Sequence, residues 1–243
     1  MRVQRFSRPE ELAAAAAAEI ADAVRCRPDL LLCAPTGASP TLTYAHLAQL
    51  AAAEPGLFRR LRLIALDEWG GLEPGNPATC GAYLQQHLLA PLELPPERVL
   101  LWSSRPADPV AECARVARWL ETHGPIDFCL LGLGLNGHLG LNEPAETHPP
   151  GPHVARLAAG SLQHGMLRAS AALPAYGLTL GLADLLRARQ IRLLVSGAAK
   201  RPVLAKLLEP VVSPWFPASY LWLHPAVRVL ATADACPDAC PDA

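Results

Sequence analysis

The chain alternates short, continuously apolar runs with longer amphipathic ones, and that rhythm restricts its fold more than any other feature. Apolar runs at Leu30–Ala34, Arg62–Leu66, Ile126–Leu131, Tyr176–Leu180, Ile191–Ser196 and Val227–Ala231 mostly lack the in–out alternation of a half-exposed sheet. They predict strands covered on both faces. The segments Pro9–Arg25, Pro40–Ala53, Thr79–Leu89, Pro109–His123, Leu182–Arg187 and Ala198–Leu208 predict helices. Strand and helix in succession imply right-handed crossovers and a mostly parallel sheet, so the expected class is α/β.

With 243 residues the chain can form one large domain or two small ones. No break in composition marks a linker, which favours one domain over residues 1–232. The repeat of Cys236-Pro237-Asp238-Ala239 as Cys240-Pro241-Asp242-Ala243 reads as a flexible, solvated tail over 233–243 rather than a metal site. Prolines number 25 and are scattered, as punctuation between elements. The segment Glu143–Ser161, rich in Pro, Gly and His, predicts a long surface loop.

Charge excludes some functions. Lys and Arg total 21 against 22 Asp and Glu, a net charge of −1. That lacks the cationic excess used to hold nucleic acid or an anionic membrane. Seven scattered cysteines, the absence of a hydrophobic signal core and the absence of an 18-residue apolar run predict a reduced, soluble, cytoplasmic protein. No metal, cofactor, nucleic-acid or membrane partner is expected; a homo-oligomer remains open.

In parallel α/β sheets ligands sit beyond the carboxyl ends of the strands, and four stretches there carry reactive side chains. After the first predicted strand, Pro35-Thr36-Gly37-Ala38-Ser39-Pro40 is a turn into a helix whose amides and hydroxyls suit a phosphate. It equally suits an ordinary turn with Ser39 as the helix cap. After the second comes Asp67-Glu68-Trp69, where one carboxylate can serve as a general base or as a turn residue. After the third, Gly132, Gly134, Gly137 and Gly140 fall within nine residues around Asn136, His138 and Glu143, allowing close backbone approach to a ligand. This stretch lacks the spacing of a dinucleotide fingerprint. After a later strand, Ser196-Gly197-Ala198-Ala199-Lys200 places a lysine at a helix start, where a bound anion would compensate its charge; a solvated lysine is the alternative.

Together these stretches resemble the glucosamine-6-phosphate deaminase family and its galactosamine-6-phosphate isomerase/deaminase branch. The likeness runs from about residue 5 to 232. It is carried by Pro35-Thr36-Gly37, Leu66-Asp67-Glu68-Trp69, Leu131 to Pro144, Gly197 to Lys200 and Pro217 to His224, and most sharply by Asn136-Gly137-His138-Leu139-Gly140-Leu141-Asn142-Glu143-Pro144. Ser161 to Leu167 and the surroundings of Trp222 look most like the galactosamine branch.

The resemblance implies a three-layer α/β/α, Rossmann-like sheet without a nucleotide, and an aldose–ketose isomerisation coupled to loss of ammonia from C2. It implies that Asp67 moves the proton between C2 and C1, that His138 opens the pyranose ring, and that Glu143 orients and charges that histidine. Thr36, Gly37, Ala38, Ser39 and Lys200 fall at phosphate-holding positions. Many relatives have Asp where this chain has Asn136, and Gly or Ser where it has Ala38. Arg156 and Arg168 are candidates for a phosphate-binding arginine seen in some relatives. Two other readings share the fold: a 6-phosphogluconolactonase, in which the histidine activates water, and a sugar-phosphate sensor without catalysis.

Overall fold

A computed structural model describes residues 1–238. The elements run β1 (Arg2–Phe6), α1 (Pro9–Cys26), β2 (Leu31–Ala34), α2 (Ala38–Ala53), β3 (Arg62–Ala65), β4 (Asp67–Gly70), α3 (Cys80–Leu84), β5 (Val99–Leu100), α4 (Pro109–His123), β6 (Phe128–Gly132), β7 (His153–Ala155), β8 (Tyr176–Thr179), α5 (Leu182–Leu186), β9 (Gln190–Val195), α6 (Arg201–Leu208) and β10 (Val227–Thr232). Seven strands form one parallel sheet in the order β1-β10-β9-β6-β2-β3-β5. A smaller antiparallel sheet orders as β4-β8-β7.

Local chemistry explains the helices. α1 begins with Pro9, carries Glu10 and Glu11 in its first turn and Arg25 in its last, all in accord with the helix dipole. Leu12, Ala16, Ile20 and Val24 recur every fourth residue and are buried, with alanines between them that let α1 lie close to α2. α4 starts where the Asp108 side chain accepts from Val110 N–H at 2.8 Å, an N-cap followed by Pro109. The central strands are apolar throughout because both of their faces are covered; β2 is buried along its whole length. A buried charge sits among them: Arg192 of β9, paired with Glu19 of α1.

The crossovers reverse direction between β2 and β6. The chain leaves β2 outward to β3 and β5, then returns through α4 to place β6 on the other side of β2. Right-handed connections therefore put α1, α2 and α3 on one face and α4, α5 and α6 on the opposite one. The expected three-layer α/β/α sheet is present, and its switch point lies between the carboxyl ends of β2 and β6, where such folds bind ligands.

Several expectations need correction. Tyr176–Thr179 is a strand, but it pairs with β4 in the small sheet rather than in the parallel one. The segment 143–161, read as loop, contains β7. Strands β1, β4 and β5 lie outside the apolar runs of the sequence. Ser39 is not the cap of α2: it lies inside the helix, and Gly37 holds the cap position. The tail divides, since Ala235 and Cys236 are buried in the main core, while the rest of that tail, from residue 239 with Cys240, lies outside the described residues. Cys26, Cys33, Cys80, Cys113, Cys129 and Cys236 are free, and no described helix is long and apolar enough to cross a membrane.

Candidate active site

A cavity of about 540 Å³ opens at the switch point. Its walls combine the turn after β2 (Thr36, Ala38, Ser39), the end of β3 (Leu66, Asp67), the glycine-rich turn after β6 (Gly132 to His138) and Lys200. Four stretches distant in sequence thus meet at one place. Ser39 and Gly132 come close enough that a Cβ on the glycine would lie 3.6 Å from the Ser39 hydroxyl.

Asp67 gets there because the chain bends at Leu66, leaving the parallel sheet and entering the antiparallel one as β4, opposite Thr179 of β8. Its neighbour Glu68 has a different task. Glu68 Oε1 accepts from the backbone N–H of Trp69 and of Cys80, each at 2.7 Å, and Oε2 from Gly81 N–H at 2.8 Å. These bonds tie the start of α3 to β4. Asp67 itself is buried and has one near polar contact, Cys80 Sγ at 3.8 Å from Oδ1; Thr36 in turn donates its hydroxyl to that sulfur at 3.2 Å. Burial, then the Glu68 charge, push the Asp67 carboxyl up to about 7, against the opposing pull of His138 and Cys80. A carboxylate so destabilised in its charged form is a stronger base than an ordinary one.

His138 stands on the opposite turn, its ring laid over Gly134. A Cβ at that glycine would lie 2.5 Å from the imidazole, so the close approach requires glycine there. His138 Nδ1 faces Glu143 Oε2 at 3.3 Å, an angled contact rather than a straight hydrogen bond. Glu143 stands behind the ring. Asn136 Nδ2 donates to the same Oε2 at 2.8 Å, and Asn136 Oδ1 accepts from His138 N–H at 3.1 Å. Ser161 donates its hydroxyl to Glu143 Oε1. Burial pushes Glu143 up, but its contacts with His138, Ser161 and Asn136 outweigh burial and hold the carboxyl at about 2. Glu143 is thus a permanent anion beside the imidazole and holds its ring in place.

At the other end of the cavity Gly37 adopts φ +100°, a conformation suited to glycine. Its carbonyl accepts from Thr41 and Tyr83, each at 2.9 Å. Lys200 Nζ donates to Leu133 O at 2.5 Å, which brings an ammonium to the cavity wall, and burial pushes that group below its ordinary value.

All nine sequence-derived site residues therefore gather around one cavity, with Gly37 shaping the turn and Glu143 backing His138 rather than lining the space. Arg156 and Arg168 are exposed and do not line it. Composition and spacing gave no warning of Cys80, Tyr83 or His164. Cys80 and His164 lie in segments with no strand-end signature, and their roles arise from tertiary contact.

The family model described as glucosamine-6-phosphate isomerases/6-phosphogluconolactonase matches residues 7–231. The chain is 40% identical over 201 residues to a protein of Escherichia coli called putative deaminase AgaI, covering 83% of this chain and 80% of that one. It is 36% identical to the glucosamine-6-phosphate deaminase of a Geobacillus strain, covering 93% and 91% of the two chains. A solved monomeric glucosamine-6-phosphate deaminase superposes with a TM-score of 0.92 at 34% identity, over 97% of this chain and 98% of that one.

Proposed function

We propose that this chain, which belongs to the glucosamine-6-phosphate isomerase/6-phosphogluconolactonase family, is a hexosamine-6-phosphate isomerase/deaminase. The observation that carries the reading is the shared cavity, with a base of raised affinity for protons (Asp67) and an imidazole backed by a permanent anion (His138 with Glu143). An anion cradle of the 36–39 turn and Lys200 lies beside them.

The chemistry follows from those positions. The phosphate ester binds at the turn and Lys200, supplying binding energy remote from the reacting carbons. His138 takes the proton from O1 and returns one to O5, opening the pyranose to the C1 aldehyde. The aldehyde acidifies C2–H. Asp67 removes that proton, the electron pair shifts through C1–C2 to the carbonyl oxygen, which takes up a proton from solvent, and the resulting enolamine takes the proton back from Asp67 at C1 as the nitrogen lone pair forms the C2–N double bond. The amine is left on C2 as an imine. Water adds to C2, ammonia leaves, and a ketose 6-phosphate remains. Well-placed acid–base groups contribute roughly 10²–10⁴-fold each.

Within this reaction, galactosamine 6-phosphate is favoured over glucosamine 6-phosphate. The 161–167 segment that resembles the galactosamine branch supplies Ser161, Gln163 and His164 to the cavity wall. Trp222 does not bear on the choice, since its indole N–H is bonded to Leu207 O at 2.7 Å and it does not line the cavity. The test is ammonia release from the two sugar phosphates side by side. Release from either supports the reaction class, and faster release from the galactosamine compound supports the epimer preference. Hydrolysis of 6-phosphogluconolactone with no ammonia from either amino sugar would assign the chain to the lactonase side of its family instead.

A further inference from the structure

His164 lies on the cavity wall, yet the catalytic scheme leaves it idle. Its ring is held between Trp69, with ring centroids 5.7 Å apart, and Gly37, where a Cβ would lie 3.0 Å from His164 Nε2. The imidazole therefore rests directly on the turn that begins α2. Its orientation is set from behind: Met166 N–H donates to Nδ1 at 3.3 Å. A ring nitrogen that accepts cannot carry the proton, so the neutral ring bears its N–H on Nε2, the nitrogen on the Gly37 side. Among the described residues Nε2 has no hydrogen-bond partner.

We propose that His164 is a phosphate-contacting residue, its Nε2–H joining the 37–39 turn and Lys200 on the oxygens of the substrate's 6-phosphate; this rests on the hexosamine-phosphate reading. Among the described residues no arginine lines the cavity, and a donor aimed at the Gly37 turn supplies a further contact. Burial, followed by the nearby His138 and Lys200, pushes the imidazole below its ordinary value, so the ring meets the incoming dianion neutral and as a one-proton donor. The arrangement also accounts for glycine at position 37. Any side chain there would displace the imidazole as well as strain the turn.

The experiment compares wild type with H164F, which keeps the packing against Trp69 and loses the donor, and H164Q, which keeps a donor in a different frame. Binding of inorganic phosphate is followed by NMR titration, alongside KM and kcat for the hexosamine 6-phosphate. H164F should weaken phosphate binding and raise KM together by ~10–100-fold, the range expected for a hydrogen bond to a charged group. Its kcat should stay within a few-fold, and H164Q should recover most of the loss. Unchanged phosphate affinity in H164F overturns the proposal, as does a kcat loss at constant KM. If H164F does not fold, wild type with H164Q decides: phosphate should shift the one imidazole Nε2 resonance that H164Q lacks, and no shift overturns the proposal. The phosphate titration needs no turnover. A wild type that releases no ammonia would sink the activity while leaving the role of His164 to be judged on affinity.

Discussion

Asn136 Nδ2 donates to Glu143 Oε2 at 2.8 Å, and that same oxygen faces His138 Nδ1 at 3.3 Å. Asn136 thus acts as a neutral brace. It steadies Glu143 without repelling it, while its own carbonyl oxygen fixes the His138 backbone. The imidazole faces the Glu143 carboxylate, itself held by the side-chain donors of Asn136 and Ser161.

Replacing that brace by a carboxylate tests its sign. Glu143, held at about 2 against an unfolded value of 4.5, contributes stability in full above pH 4.5 and loses it as pH falls toward 2. In N136D two carboxylates compete for one site, Glu143 is pushed up, and its contribution shrinks. The variant should be roughly 1–3 kcal/mol less stable than wild type at pH 7, with the deficit shrinking on acidification. Thermal melts from pH ~3 to ~8, which span the ordinary carboxylate range near 4, check this; a deficit that grows toward acid would contradict the bracing role.

The raised Asp67 carboxyl predicts where activity falls away. A base held at about 7 must be ionised to work, so kcat/KM should drop below pH ~7 rather than near 4. E68Q removes the like charge and should move that acid limb downward. It also costs one acceptor for the backbone N–H groups of Trp69, Cys80 and Gly81, about 1–3 kcal/mol of stability. A pH–rate profile with a thermal melt reads both effects, and an acid limb unmoved in a folded E68Q would remove Glu68 from the cause.

Gly134 carries the His138 ring. A Cβ there falls 2.5 Å from the imidazole, so G134A should displace the ring, lowering kcat about tenfold or more, while phosphate affinity stays near wild type. Steady-state kinetics with a phosphate titration separate the two. Equal loss of affinity would mean that the substitution disturbs the whole turn.

The proposed grip of Lys200 on the ester, equal in ground and transition state, predicts that K200A raises KM more than it lowers kcat. A change confined to kcat, measured over saturating substrate, would contradict its placement on the phosphate.

The parallel sheet could be read from the sequence because its strands are buried on both faces and therefore apolar throughout, as in Leu31–Ala34 and Phe128–Leu131. The strands that escaped notice break that rule. β1 is an edge strand with charged residues around one buried valine. β4 begins with two acids, whose burial depends on partners far along the chain. The reactive residues were legible because this fold puts them just after strand ends. The supporting contacts were not: Ser161 with Glu143, Cys80 with Asp67 and His164 on Gly37 join segments separated by 13 or more residues, and no local pattern marks them.

The central claim is that Asp67 moves the C2 proton, and solvent exchange reads that step directly. The hexosamine 6-phosphate is incubated in deuterated water with wild type or D67N, and deuterium at C1 of the ketose and C2 of recovered substrate is followed by NMR. Wild type should place deuterium at one or both carbons. D67N should fall by about 10²-fold or more while binding inorganic phosphate within a few-fold of wild type. Exchange at the wild-type rate in D67N would contradict the account.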